Sequence, residues 1–144
     1  DGEFQITGRT FHQPSFGTDD GRGHFHAVDV PQPLEGFHLM TIRSEGQFNS
    51  VVYDEEDLYR GNARRDVVMM NAVDAALAGI REGDPVEVSS AVGSMTVRAA
   101  VIDIARGCLA MYYPEANALV VPTLDPESRT PAFKNVPVTL QPVG

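Results

Sequence analysis

The sequence predicts a mainly β domain in the form of a closed barrel. Short apolar runs recur along the chain, and turn signals rich in Gly, Pro, Asn and Asp separate them. Only one stretch has the spacing of a helix, and that stretch is short. A chain of 144 residues suits a single domain with a real core. About six strands with one short helix are typical of a closed barrel.

Residues 1–36 are interpreted as a lead-in segment, and residues 37–144 as the barrel. The lead-in is rich in Gly, Pro, His and Asp, and "TDDGRGHF" predicts a turn that leads into a short strand. The prolines of "VPQPLEG" end that element, because proline fixes φ and lacks an N–H donor. The chain begins at Asp1 rather than Met, so we expect it to be a piece of a longer protein.

The first half of the barrel should contain two strands and the helix. "FHLMTIR" (37–43) predicts a strand, residues 53–65 predict a long polar loop, and "DVVMM" (66–70) predicts a buried strand. Asn71 can cap the helix that follows, with Asp74 near its positive end. The apolar residues that recur at helical spacing are Val73, Ala76, Leu77 and Ile80.

The second half of the barrel should contain four strands. "PVEVSS" (85–90) and "SMTVRAAVID" (94–103) alternate, and a turn at Gly93 joins them as a hairpin. The second of these strands has apolar residues on both faces, including Val97 and Ala100, which indicates burial on both sides. The remaining two strands are predicted at 107–113 and 136–141.

Composition and charge exclude several classes of function. The net charge is −9 and the 11 Lys and Arg residues are scattered, which argues against nucleic-acid binding but not against a local pocket for one anionic cofactor. No apolar run is long enough to predict a membrane span. Cys108 is the one cysteine, so no internal disulfide can form, and a reducing, cytoplasmic location is expected.

The sequence lacks the common catalytic motifs. It has no P-loop, no Gly-rich dinucleotide turn after a strand and no His-Glu-x-x-His pair. His24 and His26 can share a strand face but lack a third ligand, and His12 and His38 stand alone, so no metal site is predicted.

Two other candidates are interpreted as structural. Cys108 lies within the apolar run "GCLAMYY" and is taken as a small buried hydrophobic residue rather than a nucleophile or a thiolate ligand. The acidic run "DEEDL" (54–58) is taken as a solvated face, because it lacks the ligand spacing and the central glycine of a calcium loop.

Two polar clusters at predicted strand ends are the best candidates for a binding site. One is "TIRSEGQFNS" (41–50), and the other combines "YYPEANALV" (112–120) with "DPESRTPAFKN" (125–135). Asn117 and Lys134 in the second cluster can equally be ordinary turn residues. Arginine offers paired donors to phosphate, and Asn or Gln can match the edge of a base or a pterin. These residues predict binding of an extended ligand with phosphates and a heterocycle, rather than catalysis.

The same stretches resemble the C-terminal domain of molybdopterin oxidoreductases, and above all of formate dehydrogenase-like alpha subunits. The resemblance runs from about residue 37 to 140 through "LMTIRSEGQFNSVVYDEEDLYRG", "GIREGDPVEVSSAVG" and "GCLAMYYPEANALVVPTLDPESRTPAFKNVPV". It implies a double-psi β-barrel, also seen in aspartate decarboxylase-like proteins, with one or more short helices. "FGTDDGRGHF" resembles the segment that joins this domain to the preceding one.

The resemblance also implies the ligand, molybdopterin guanine dinucleotide, of which two copies (bis-MGD) usually surround one molybdenum or tungsten. The residues implied to bind it are Arg43, Ser44, Gln47, Asn49, Tyr112, Tyr113, Asn117 and Lys134. The protein ligand of the metal and any iron–sulfur cluster would lie in upstream domains of the same polypeptide, which also build most of the pocket for its small-molecule substrate. Within the parent enzyme the domain is therefore expected to bind and orient the cofactor, whereas the isolated domain is not expected to be catalytic and can lack the cofactor.

Two alternatives stay open. One is a double-psi barrel that serves as a protein-interaction module without cofactor, which predicts an exposed apolar groove and no role for Arg43 or Asn117. The other is a stand-alone decarboxylase of the related fold, which requires self-processing at a Gly-Ser step. Gly93-Ser94 is a candidate for that step, but it lies in a predicted hairpin turn.

Overall fold

A computed structural model describes residues 16–30, 35–48 and 50–144. The chain divides into two units, residues 1–33 and 34–144. In the described residues, the second unit contains the elements β1 (Phe37–Ile42), β2 (Val67–Asn71), α1 (Ala72–Leu77), β3 (Pro85–Ser89), β4 (Ser94–Ile102), β5 (Cys108–Tyr112), a 3₁₀ helix (Glu115–Leu119) and β6 (Val136–Pro142). Every predicted barrel strand is present, with its ends within a residue or two of the prediction.

The six strands close into a barrel in the order β1-β5-β2-β4-β3-β6. β1 pairs in parallel with β5, and β2 pairs in parallel with β4, while the other neighbours are antiparallel. Two long crossover connections, residues 43–66 between β1 and β2 and residues 113–135 between β5 and β6, each join strands that are not neighbours in the barrel. This topology confirms the predicted mainly β, double-psi barrel.

The core lies on both sides of the barrel wall. The larger apolar cluster includes Leu39, Val97 and Leu109, and the smaller one includes Met69 and Ala100. Because successive strand residues point to opposite faces, Val97 and Ala100 of β4 belong to different clusters. The prediction that this strand is buried on both sides is therefore confirmed.

Helix α1 is shorter than the apolar spacing suggests, and it faces the core with different residues. Asn71 caps it as predicted, since its side chain accepts from the N–H of Val73. Val73 is nevertheless 50% exposed and Leu77 is 74% exposed, whereas Asp74 is buried. The Asp74 carboxylate accepts a 2.6 Å hydrogen bond from the N–H of Gly107 and a 3.1 Å bond from Arg106 Nε. Asp74 and Ala75 therefore face the barrel, and of the predicted apolar residues only Ile80, which lies after the helix, joins the core.

The described part of the first unit, residues 16–30, contains a turn but no strand. The N–H of Gly21 donates to the carbonyl of Thr18, and Gly21 has a φ of +67°, which glycine adopts at little cost. The predicted turn is confirmed, but the prediction of a short strand after it is wrong, because the described residues 22–30 form no strand. Within the described part of the chain, no helix combines the length and apolar character needed to cross a bilayer.

Candidate binding cleft

A cleft of about 860 Å³ opens where β1 ends, between the two long crossovers. The end of β1 and the 43–66 crossover form one side, and the 113–135 crossover forms the other. The cleft is lined by Thr41, Ile42, Arg43, Arg60, Tyr113, Asn117, Val120, Pro122, Pro131, Phe133 and Lys134. Four of the eight residues implied by the resemblance, one from the first polar cluster and three from the second, therefore meet around one cavity.

The cleft is positively charged in an otherwise acidic chain. Arg43, Arg60 and Lys134 line it, and among the described residues no Asp or Glu joins them. The chain as a whole carries a net charge of −9, so this grouping of cations is local. Clefts lined by one sign of charge concentrate ions of the opposite sign. The cleft is therefore a site for an anionic ligand.

Arg60 was not predicted, and the structure holds it firmly in the cleft wall. Its Nη1 donates to the Arg43 carbonyl at 3.1 Å and to Asp57 Oδ2 at 2.8 Å. Asp57 is only 1% exposed and also accepts a 2.8 Å hydrogen bond from the Tyr112 hydroxyl. Burial raises the pKa of Asp57, but the hydrogen bonds from Arg60 and Tyr112 outweigh it and lower the pKa overall. A charged Asp57 thus orients Arg60.

The acidic run 54–58 is accordingly not a uniform solvated face. Asp54, Glu55 and Glu56 are exposed as predicted, but Asp57 points inward. Its carboxylate needs the partners that Arg60 and Tyr112 supply, because an unpaired buried charge costs several kcal/mol, on the order of 3–5. The one signal in the sequence for this ion pair was that Arg60 lies three residues after Asp57. A sequence alone does not show which residue of an acidic run pairs with a nearby arginine.

Arg43, Tyr113 and Asn117 present free groups to the cleft. The guanidinium carbon of Arg43 lies 5.9 Å from the centroid of the Tyr113 ring. Asn117 lies in the 3₁₀ helix, held by a hydrogen bond from its N–H to the Pro114 carbonyl. Within residues 16–30, 35–48 and 50–144, neither the Arg43 guanidinium nor the Asn117 amide has a hydrogen-bond partner, and both residues are exposed. Both remain available to a ligand.

Lys134 is anchored to β1 at the edge of the cleft. Its ammonium group donates to the Thr41 carbonyl, and the N–H of Thr41 donates to the Phe133 carbonyl at 3.0 Å. The Phe133 ring lines the same cavity, with the Lys134 ammonium 5.6 Å from its centroid. These bonds attach the end of the second crossover to the last residues of β1, so the two polar clusters are joined directly.

Ser44 and Gln47 lie behind the cleft and not in its lining. Both are buried, and protein groups take up their polar atoms. The Gln47 side-chain amide donates to the Tyr113 carbonyl at 2.8 Å, and its oxygen lies 3.2 Å from the N–H of Ser44. Arg65, which was not predicted, donates to Ser44 Oγ at 2.7 Å and to Gln47 Oε1 at 3.2 Å. The structure places these two residues where they shape the wall.

Tyr112 is also buried away from the cleft. Its hydroxyl donates to Asp57 and accepts a 2.9 Å hydrogen bond from Asn62 Nδ2. Burial raises the pKa of this phenol, and the neighbouring Asp57 carboxylate raises it further, so the group stays protonated. Asn49, the remaining implied residue, lies outside the described residues.

The isolated histidines and the cysteine form no metal site in the part of the chain that the structure describes. His24 pairs with Asp20 at 2.9 Å, and His38 Nδ1 lies 2.6 Å from Asn135 Oδ1. Cys108 is half-buried in β5 and unpaired. His12 lies outside the described residues.

Comparison with known proteins links this cleft to one family. A family model of the molydopterin dinucleotide binding domain matches residues 37–137. Protein YdeP of Escherichia coli O6:H1 (strain CFT073) is 32% identical over 141 residues, which is 87% of this chain and 19% of that protein. The uncharacterized oxidoreductase Rv2900c of Mycobacterium tuberculosis (strain H37Rv) is 35% identical over 147 residues, which is 90% of this chain and 18% of that protein.

A solved structure shares the fold. Acetylene hydratase from Pelobacter acetylenicus superposes with a TM-score of 0.58 at 14% identity, over 74% of this chain and 18% of that one. The chain thus spans less than a fifth of the length of each of these relatives. Since the family model covers most of the barrel and all the described cleft residues, the chain belongs to the molydopterin dinucleotide-binding domain family.

Proposed function

We propose that the cleft binds a molybdopterin guanine dinucleotide. In this proposal the chain is the cofactor-binding domain of a molybdenum or tungsten oxidoreductase of the formate dehydrogenase-like type. The observation that carries this proposal is the convergence of three cations and one free amide on a single cavity. A cavity of about 860 Å³ is near the upper end of the range for small-molecule sites. It accommodates a substantial part of a dinucleotide.

The groups in the cleft match the groups of such a cofactor. Arg43, Arg60 and Lys134 carry charges that can neutralise a pyrophosphate, and a planar guanidinium group can donate two hydrogen bonds to it. The Asn117 amide offers a donor and an acceptor to a ring edge, and Tyr113 with Phe133 offers aromatic faces. Each ring edge left unmatched on burial would cost about 1–3 kcal/mol, so this donor set favours a polar heterocycle.

The domain's own part is to bind and orient. When bound, the cofactor supplies the redox chemistry, and the chain positions it and excludes water. The metal ligand, a second pterin dinucleotide, any iron–sulfur cluster and the substrate pocket would come from upstream domains of the same polypeptide, and a cytoplasmic location completes the proposal. The share of the relatives that this chain spans supports a larger parent.

The proposal is tested in the full-length protein by Arg43→Ala and Asn117→Ala. Each change removes a free donor from the cleft, so bound pterin dinucleotide per chain should fall severalfold when it is released and quantified. Arg81→Ala is the matched control, because Arg81 is exposed in the turn before β3 and does not line the cleft. Unchanged cofactor content in both cleft variants would reject the site and favour the interaction-module alternative.

A further inference from the structure

A buried arginine, Arg65, lies directly behind the cleft. It is 3% exposed, which is rare for this residue type without dedicated partners. Its guanidinium donates to Glu115 Oε1 at 2.6 Å and Oε2 at 3.1 Å, to the Tyr113 carbonyl at 2.6 Å, to Ser44 Oγ at 2.7 Å and to Gln47 Oε1 at 3.2 Å. Each of its three nitrogens thus has a partner.

Aromatic rings complete the surroundings of this guanidinium. Its central carbon lies 3.6 Å from the centroid of the Tyr53 ring and 4.7 Å from that of Tyr112. Planar guanidinium groups stack on aromatic faces, and the attraction is stronger where water is excluded. Burial alone would raise the pKa of Glu115, but the hydrogen bond from Arg65 helps lower it, so the pair is ionic.

The partners of Arg65 belong to two segments that are far apart in sequence. Ser44, Gln47 and Tyr53 follow β1, whereas the others lie within residues 112–115, at the end of β5 and directly after it. The first segment begins next to Arg43, and the second contains Tyr113 and leads to Asn117. Arg65 therefore bonds the two sides of the cleft to each other from behind, without entering the cavity.

We propose that Arg65 is a positioning residue that fixes Ser44, Gln47 and Tyr53 against residues 112–115 and thereby sets the cleft geometry needed for the dinucleotide. The inference rests on the proposed function for the identity of the ligand, but the coupling of the two segments stands independently of it. Lysine cannot replace this arginine, because it is a single ammonium point charge and cannot reach five acceptors in a plane.

The test uses the full-length protein without cofactor, and guanosine diphosphate as the probe. Arg65→Lys is compared with Arg64→Lys, the neighbouring exposed arginine that pairs with Asp66. Calorimetry gives Kd for the probe, and hydrogen exchange follows the amides of 44–53 and 113–117. Val97→Ala, a buried change in β4 at a residue that does not line the cleft, is the control for loss of stability. We expect Arg65→Lys to raise Kd by about tenfold and to speed exchange in both segments, whereas the two controls leave Kd within about twofold.

The outcomes separate the two proposals. If Arg65→Lys weakens probe binding no more than Val97→Ala does, or speeds exchange evenly over the barrel, Arg65 is merely structural and the inference fails. If the wild type does not bind the probe, the proposed ligand is wrong, and the exchange pattern alone decides the coupling. If Arg65→Lys does not fold, Glu115→Gln removes one charged partner and is judged by the same two measurements.

Discussion

The electrostatics of individual carboxylates organise the region behind the cleft. Asp57 and Glu115 are the charged partners of Arg60 and Arg65, and each has a pKa held below its usual value by the arginine despite partial or full burial. Neither carboxylate lines the cleft. The charges of Asp57 and Glu115 thus hold arginines in place from outside the cleft, and they do not oppose an anionic ligand within it.

Glu115→Gln should show a stability loss that depends on pH. The folded pKa of Glu115 is lowered from its ordinary value of 4.5, so the stabilisation is fully present above that value and is lost as pH falls through the folded pKa. Gln keeps the shape but not the charge, and should cost about 1–3 kcal/mol of unfolding free energy near neutral pH. Urea unfolding of the wild type and the variant at a series of pH values measures the difference in their unfolding free energies. The other carboxylates contribute equally to both proteins, so their contributions cancel in that difference. A difference that stays constant down to acid pH would refute this assignment.

Tyr112→Phe should destabilise the barrel without changing its shape. The variant leaves Asp57 and Asn62 each without one buried partner, which costs about 1–3 kcal/mol. Tyr59→Phe is a suitable control, because Tyr59 is exposed and its change should be nearly neutral. Chemical unfolding of the two variants provides the measurement. Equal stabilities would contradict a stabilising role for the hydrogen bonds of the Tyr112 hydroxyl.

At the level of elements, the β3–β4 hairpin supports the 3₁₀ helix that carries Asn117. A Cβ added at Gly93 would stand 2.6 Å from the Ala118 carbonyl oxygen, closer than such atoms approach in proteins. The hairpin and the 3₁₀ helix therefore need glycine at this contact. Gly93 therefore has a packing role, which explains the glycine of the Gly93-Ser94 dipeptide without self-processing.

Gly93→Ala should therefore lower stability and disturb the cleft together. The overpacked contact should cost about 1–3 kcal/mol and push the 3₁₀ helix, and Asn117 with it, away from its place. Val92→Ala in the same turn is exposed and should change stability by less than about 0.5 kcal/mol. Thermal unfolding and probe binding of both variants measure the two effects. A stable Gly93→Ala variant with normal binding would show that the hairpin does not support the site.

The strands could be predicted from the sequence because each is a local pattern, and so could the polar clusters at their ends. What the sequence could not supply was the partnership between distant residues. Arg60 and Arg65 looked like ordinary charges of a polar loop, and only the closed barrel brings residues 112–115 to Arg65. The prediction of which face of α1 is buried failed for the same reason, since Gly107 and Arg106 are distant in sequence from Asp74.

For the whole molecule, the strand order governs how the chain must fold. β1 pairs with β5, whose residues lie about 70 positions later, and closes the barrel only against β6 near the chain's end. Such distant pairings slow folding, so the 144-residue chain should refold on the millisecond-to-second scale in stopped-flow tyrosine fluorescence, tyrosine being the natural probe where Trp is absent. Refolding within microseconds would contradict this expectation.

The order of residues along the chain determines when each part of the cleft is synthesised. Phe133 and Lys134 come just before β6, so a chain still on the ribosome has made Arg43 long before the opposite side of the cleft exists. Throughout that interval β1 lacks β6, one of its two barrel neighbours, and it also lacks β5 until residue 112 has been made. The nascent domain therefore does not present a complete cleft until Phe133 and Lys134 have emerged from the ribosome.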